Sequence, residues 1–200
     1  EQSPIIDVGS GSIVESSIIG VSAGSNGIPG EVIGSFSTAS RQLGSIELNC
    51  EYGLYGEMDE IPVNPIYPNG VKLAYPDEVH TGKAEILCTC PYARSLLERA
   101  IEGGYNYLNA LLDGNKVEKF DIKITKVNKQ DEPDSKSMEI EVVDDRLLKY
   151  CGGIVQGMSG SPVMQDGKLI GAVTHVFVND AKCGYCIYSW WMNRVSEKIL

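Results

Sequence analysis

Basic residues are scarce in this chain. Lys and Arg number 17 against 27 Asp and Glu, a net charge of −10, and such a surface opposes nonspecific binding to nucleic acid or anionic lipid. No nucleic-acid partner is expected. Long apolar runs are also missing: none approaches the ~20 residues needed to cross a bilayer. The opening Glu1-Gln2-Ser3-Pro4 has no basic-then-apolar signal pattern. The segment is expected to be soluble, without membrane contact of its own. Histidine occurs only as His80 and His175, and no Gly-His dipeptide exists. Six cysteines are present, yet Cys88-Thr-Cys90 and Cys183-Gly-Tyr-Cys186 are not two pairs of matching spacing, which disfavours a four-thiolate zinc site. Cys183-x-x-Cys186 also lacks the strand-then-helix context of thiol-disulfide catalysis. Free or structurally paired cysteines are the simpler reading, and neither metal nor cofactor is expected.

What is present is a glycine-rich stretch, Cys151-Gly-Gly-Ile-Val-Gln-Gly-Met-Ser159-Gly-Ser-Pro162, followed by Val-Met-Gln-Asp-Gly-Lys-Leu-Ile-Gly-Ala-Val-Thr-His175. Glycines on both sides of Ser159 allow a sharp turn, because only Gly adopts the required φ/ψ values cheaply. The amides of Gly157 and Ser159, two residues apart on such a turn, are placed to point at one spot and stabilise a tetrahedral oxyanion. Ser159 is the candidate nucleophile, and Pro162 fixes the exit of the loop. The plain alternative is a glycine-rich hairpin whose serines make turn hydrogen bonds.

The rest of the chain reads as β-structure. Short apolar runs broken by Gly and Ser fill residues 1 to 40, with Asn26-Gly27 as a hairpin signal. Gly44 to Cys50, Lys119 to Val127 and Ser137 to Val143 alternate apolar with polar residues, as strands with one buried face do. Pro62, Pro65 and Pro68 mark an irregular connection before Val71 to Ala74. His80 sits at a polar turn, where solvation is the ordinary role. Ala93 to Glu102 has helical spacing between Pro91 and Gly103-Gly104, with a second short helix or turn at Tyr105 to Leu112.

The serine motif together with Ile170-Gly-Ala-Val-Thr-His-Val-Phe-Val-Asn-Asp180 resembles the SpoIVB peptidase family, sporulation serine peptidases distantly related to the chymotrypsin-like enzymes. Weaker matches are Gly27 to Glu31, Val117 to Ile122 and Asp144 to Leu148. The resemblance covers nearly the whole chain except about Tyr92 to Asn115, which reads as an insertion. It implies two antiparallel β-barrels in a mainly β chain: an N-terminal barrel over about 1–90, a helical insert over about 91–115 and a C-terminal barrel over about 116–200. It also implies an N-terminal membrane anchor and a PDZ domain outside these residues.

Residue-by-residue matching puts the orienting carboxylate of the family at Asp144, with Asp145 as its neighbour and fallback. An Asp-Asp after a strand is equally an ordinary turn or helix cap. The catalytic histidine of the family lies in an Ala-Leu-Gly-His motif that would fall upstream of Glu1, so this chain is expected to be weakly active or inactive by itself. His175, in Val-Thr-His-Val-Phe, is a substrate-wall residue or a fallback base. The implied activity is limited proteolysis of a peptide or protein substrate between the mother-cell and forespore membranes, including self-cleavage and cleavage of a membrane-bound regulator of an intramembrane protease. The competing reading is a non-catalytic protease-fold module that binds an extended peptide by strand addition.

Overall fold

Alternation of apolar and polar residues builds the centre of the molecule. The computed structural model describes residues 11–25, 27–36, 40–60, 63–89 and 116–199. In strand β9 (Glu118–Val127) the side chains of Phe120, Ile122 and Ile124 are fully buried, while Asp121 and Lys123 between them face solvent. Period-two patterning of this kind places one face of each strand in a core. β8 (Gly82–Cys88), β10 (Met138–Val142), β11 (Pro162–Gln165), β12 (Lys168–Phe177) and β13 (Asp180–Tyr188) complete the set. They pair in the antiparallel order β11-β8-β9-β10-β13-β12, and β12 pairs back onto β11. The sheet therefore closes into a six-stranded barrel with no free edge between its first and last strands.

The expected mainly β, antiparallel-barrel architecture is present. β8 bonds to both β9 and β11, so the closed barrel includes the strand that starts at Gly82. The helices expected between 91 and 115 lie outside the described residues. Two-residue strand β7 (Lys72–Leu73) adds to β12 in parallel.

The N-terminal half contributes three two-stranded antiparallel pairs among the described residues. They are β1 (Gly11–Val14) with β4 (Gln42–Ile46), β2 (Ser17–Ser22) with β3 (Glu31–Ser35), and β5 (Leu48–Cys50) with β6 (Gly53–Tyr55). They are compatible with a second barrel, although no second closure forms among these residues. The stretch from Gly44 to Cys50, continuous in its alternation, is divided at Glu47 into β4 and β5, which take different partners.

Two helices finish the fold. α1 (Asp145–Cys151) begins at the Asp144 cap and ends at Gly152 in the left-handed region, φ 75°. It delivers the chain from β10 to the serine loop. α2 (Ser189–Ile199) follows β13 and closes over the barrel, with Trp190 and Trp191 against the core and Ser189 Oγ donating to the Leu169 carbonyl at 2.8 Å. No helix among the described residues is long and apolar enough to cross a membrane.

Candidate active site

Ser159 lies on the connection from α1 to β11, and that connection is anchored from below. Ile154, Val155 and Met158 are almost completely buried, while Ser159 between the glycines is exposed. The backbone is stitched on three sides: Ile154 N–H donates to the Ala181 carbonyl at 2.6 Å, Gly160 N–H to the Val173 carbonyl at 2.8 Å, and Val173 N–H to the Ser161 carbonyl at 3.0 Å. Apolar anchors inside and bonds to β12 and β13 thus push one hydroxyl outward.

Gly157 and Gly160 have φ values of 94° and 86°, the conformation that side-chain-bearing residues avoid. Among the described residues, neither the Gly157 nor the Ser159 amide has an acceptor. Two unpaired N–H groups flanking Met158 are the raw material of an oxyanion site. The Ser159 hydroxyl donates to the Thr174 carbonyl at 3.2 Å. Thr174 was not singled out by sequence; an acceptor on the main chain leaves no residue-type signal.

Asp144 is placed at the N-terminus of α1. One carboxylate oxygen, Oδ1, accepts from the Arg146 amide at 2.9 Å and from Arg146 Nε at 3.1 Å; Oδ2 accepts from the Asp121 amide at 3.2 Å and from an Arg146 terminal nitrogen at 2.9 Å. A carboxylate has about four lone-pair sites, and all are in use. Burial alone would raise its pKa, but the Arg146 hydrogen bond, the two amides and the guanidinium charge outweigh it and hold the group at about 2. Among the described residues, no histidine and no serine hydroxyl is hydrogen-bonded to Asp144, and Asp145 is exposed.

Neither histidine is hydrogen-bonded to Ser159 or Asp144. His80 is exposed, with Nδ1 by the Thr81 carbonyl at 3.1 Å and Nε2 by Asp166 at 3.0 Å; these partners raise its pKa, the Thr81 carbonyl most and Asp166 next. Asp166 follows β11 whereas Ser159 precedes it, so this His-Asp pair sits at the opposite end of the strand from the nucleophile. A cleft of about 330 Å³ lined by Lys83, Glu85, Lys119 and Asp121 opens at that same far end.

His175 is on β12, next to Thr174, opposite Tyr185 on β13. Its Nδ1 is buried and has no partner among the described residues, and its ring meets Tyr185 edge-on at 6.4 Å. Burial foremost and the Lys136 charge second lower its pKa. The structure thus brings His175 to the strand beside Ser159 without a hydrogen bond between them. Neither Cys50, Cys88, Cys151, Cys183 nor Cys186 is in a disulfide, and no group of three metal-ligating side chains forms among the described residues.

A closed antiparallel barrel presenting a Gly-x-Ser-Gly-x-Pro turn, with flanking amides that no described residue pairs, has the architecture of a serine-peptidase domain. The family can be stated more closely. The profile described as SpoIVB peptidase S55 matches residues 1–95 and again 93–193, so the chain belongs to the SpoIVB peptidase family. No curated protein and no solved structure matches it.

Proposed function

We propose that this domain is a serine endopeptidase whose nucleophile is Ser159. The observation that carries the reading is the exposed Ser159 hydroxyl on a turn whose Gly157 and Ser159 amides both lack an acceptor among the described residues. Ser159 Oγ forms a bond to the scissile carbonyl carbon as its proton passes to a histidine, and the two amides hold the resulting oxyanion. The carbon–nitrogen bond then breaks, the histidine protonates the departing amine, and water releases the acyl group by the same steps in reverse.

The base is assigned to the Ala-Leu-Gly-His segment that the family supplies N-terminal to Glu1, since neither His80 nor His175 bonds Ser159. Asp144 orients that histidine when the half-exposed Arg146 guanidinium gives up one of its two bonds. His175 walls the substrate strand. The substrates are peptide segments, among them the protein's own chain and a membrane-bound regulator in the space between mother cell and forespore.

The engagement of Ser159 Oγ with Thr174 and the absence of a bonded histidine favour a second reading, a non-catalytic module that binds an extended peptide. Labelling with a fluorophosphonate, mapped by mass spectrometry, separates the two. The probe is applied to this chain and to one extended N-terminally through the Gly-His motif, each beside its Ser159→Ala variant. Labelling of Ser159 in the extended chain alone supports the peptidase with an upstream base. Labelling of the short chain brings His175 or His80 back as base, and no labelling of either favours the binding module.

A further inference from the structure

The loop that carries Ser159 is held from outside the barrel. Gln156 is bonded through both of its backbone groups to β3 and the residue before it: its N–H donates to the Gly30 carbonyl at 2.7 Å, and its carbonyl accepts from the Val32 N–H at 2.8 Å. The two bonds form a parallel bridge between Glu31 and Gln156. A trans peptide unit is planar, so the C=O of one residue and the N–H of the next point in opposite directions. The unit joining Gln156 to Gly157 has its C=O aimed at Val32. Its N–H, which belongs to Gly157, therefore points away from β3, where no described residue accepts it.

Gly157 does not select this orientation by itself. Turning the Gln156–Gly157 peptide over would carry φ of Gly157 from 94° to the ordinary negative region, and glycine occupies both signs with similar ease. The turned-over peptide would aim its N–H at the hairpin and remove one oxyanion donor. What favours the observed state is the bond from Val32. That N–H is available because Val32, paired with Val21 in the hairpin, directs it outward to Gln156 and not to β2. The approach is close: a Cβ on Gly30 would lie 2.7 Å from Val155 Cγ1, and one on Gly157 would lie 2.9 Å from Val32 Cβ.

We propose that the β2–β3 hairpin is the positioning element of the Ser159 site, and that the Val32 N–H, acting through the Gln156 carbonyl, holds the Gly157 N–H in the oxyanion-binding orientation. The assignment deepens the peptidase reading and rests on it for its chemical consequence, but the orientation itself is measurable without any activity.

Val32→Pro deletes this N–H on the outer side of the strand, where the hairpin loses no bond of its own; Val32→Thr keeps both the N–H and the branched shape. The inactivation constants of Ser159 by a fluorophosphonate are measured together with the direction of the Gly157 N–H in the same proteins, read from nuclear Overhauser contacts between that amide proton and the protons of residue 32. Val32→Pro is expected to lower the maximal inactivation rate about 10²–10³-fold, the usual cost of one oxyanion donor, with the probe's binding constant and the melting temperature near wild type. In Val32→Pro the Gly157 amide proton is expected to gain contacts to residue 32, the sign of a reversed N–H vector, and Val32→Thr to match wild type in every readout. If Val32→Pro disturbs the hairpin, the α-hydroxy acid analogue of valine at position 32, which replaces only the N–H by oxygen, must give the same reversal. An unmoved N–H vector in both variants overturns the proposal. A reversed vector in a protein whose wild type never labels upholds the positioning and overturns the peptidase reading instead.

Discussion

Removal of the Asp144 carboxylate tests the local architecture of α1 and the catalytic assignment in one series. Asp144→Ala deletes an N-cap, typically worth about 1 kcal/mol. It also deletes the acceptor of the Asp121 amide and an ion pair to Arg146, whose guanidinium is half exposed and so contributes at most about 1 kcal/mol. Water reaches the exposed Asp121 position, which keeps the cost of its freed amide small. The sum is about 2 kcal/mol, a fall of about 4–8 °C in melting temperature for a chain of this length. The lowered pKa expresses the same contacts: a carboxyl held at about 2 against its ordinary 3.8 corresponds to about 2 kcal/mol of stabilisation at neutral pH.

Urea unfolding of wild type, Asp144→Ala, Asp144→Asn and Arg146→Ala, with the double variant closing the cycle, measures these quantities. Asp144→Asn keeps a neutral acceptor for the cap and is expected to lose about half as much. A cost below about 0.5 kcal/mol for Asp144→Ala would refute the claim that all four acceptor sites are occupied. Fluorophosphonate labelling of the same variants in the N-terminally extended chain then isolates the catalytic role. If Asp144 orients the base, Asp144→Asn slows labelling by orders of magnitude under conditions where the variant is fully folded; an unchanged rate leaves Asp144 with capping alone.

Other consequences follow from the same geometry. Ser159→Ala is expected to abolish labelling while changing stability by under about 0.5 kcal/mol, since the exposed hydroxyl makes one bond; calorimetry beside the probe assay checks both halves. Acid unfolding is expected to show the Asp144 contribution with a definite sign: its folded pKa lies below the unfolded value, so the contribution is full above about pH 4 and is lost as pH falls toward 2, and Asp144→Ala flattens that part of the profile. His175 is expected to titrate below the usual histidine value by NMR, and Lys136→Ala to move it back up; since burial favours its neutral form, it withdraws stability as pH falls below about 6.5. Gly153→Ala places a Cβ 2.1 Å from the Ala181 carbonyl oxygen at φ 137°, and is expected to cost more than about 2 kcal/mol in urea unfolding.

Much of the barrel is legible in the residues because barrel strands have one dry face. Lys119 to Val127 and Ser137 to Val143 alternate strictly, and β9 and β10 fall on them within a residue or two. The Asp166-Gly167 turn is readable for a local reason too, both residues having positive φ as a tight hairpin requires. α1 is harder to see: seven residues give barely two turns of period, and only the Asp144-Asp145 cap announces it. α2 begins immediately after β13, so its Ser-Trp-Trp-Met start continues the apolar run of the strand with no breaker between. For Asp144, sequence gave the residue and left two roles open; the four acceptor contacts that define its observed environment come from β9 and α1 together. The support of the serine loop was wholly hidden, since backbone-to-backbone bonds from Gly30 and Val32 to Gln156 demand no particular side chain at either end.

That dependence ties the two halves of the chain together energetically. A single two-stranded pair is marginal in water unless something packs on it, whereas the barrel closes its own hydrogen bonds and buries its own core. The β2–β3 hairpin is bound to the barrel side through Gln156 and through the Gly24 N–H, which donates to the Cys151 carbonyl at 3.1 Å. Val21 is the one residue of the hairpin strands in the buried core. The hairpin therefore belongs to the part of the molecule that opens at lowest cost, while Ile154, Val155 and Met158 stay with the barrel. Opening it would leave the barrel folded and Ser159 in place but would release the Gln156 carbonyl. Stability measured on the whole chain and reactivity measured at Ser159 should consequently come apart: mild urea is expected to slow labelling well before the barrel unfolds, and coincidence of the two transitions would mean that hairpin and barrel form a single cooperative unit.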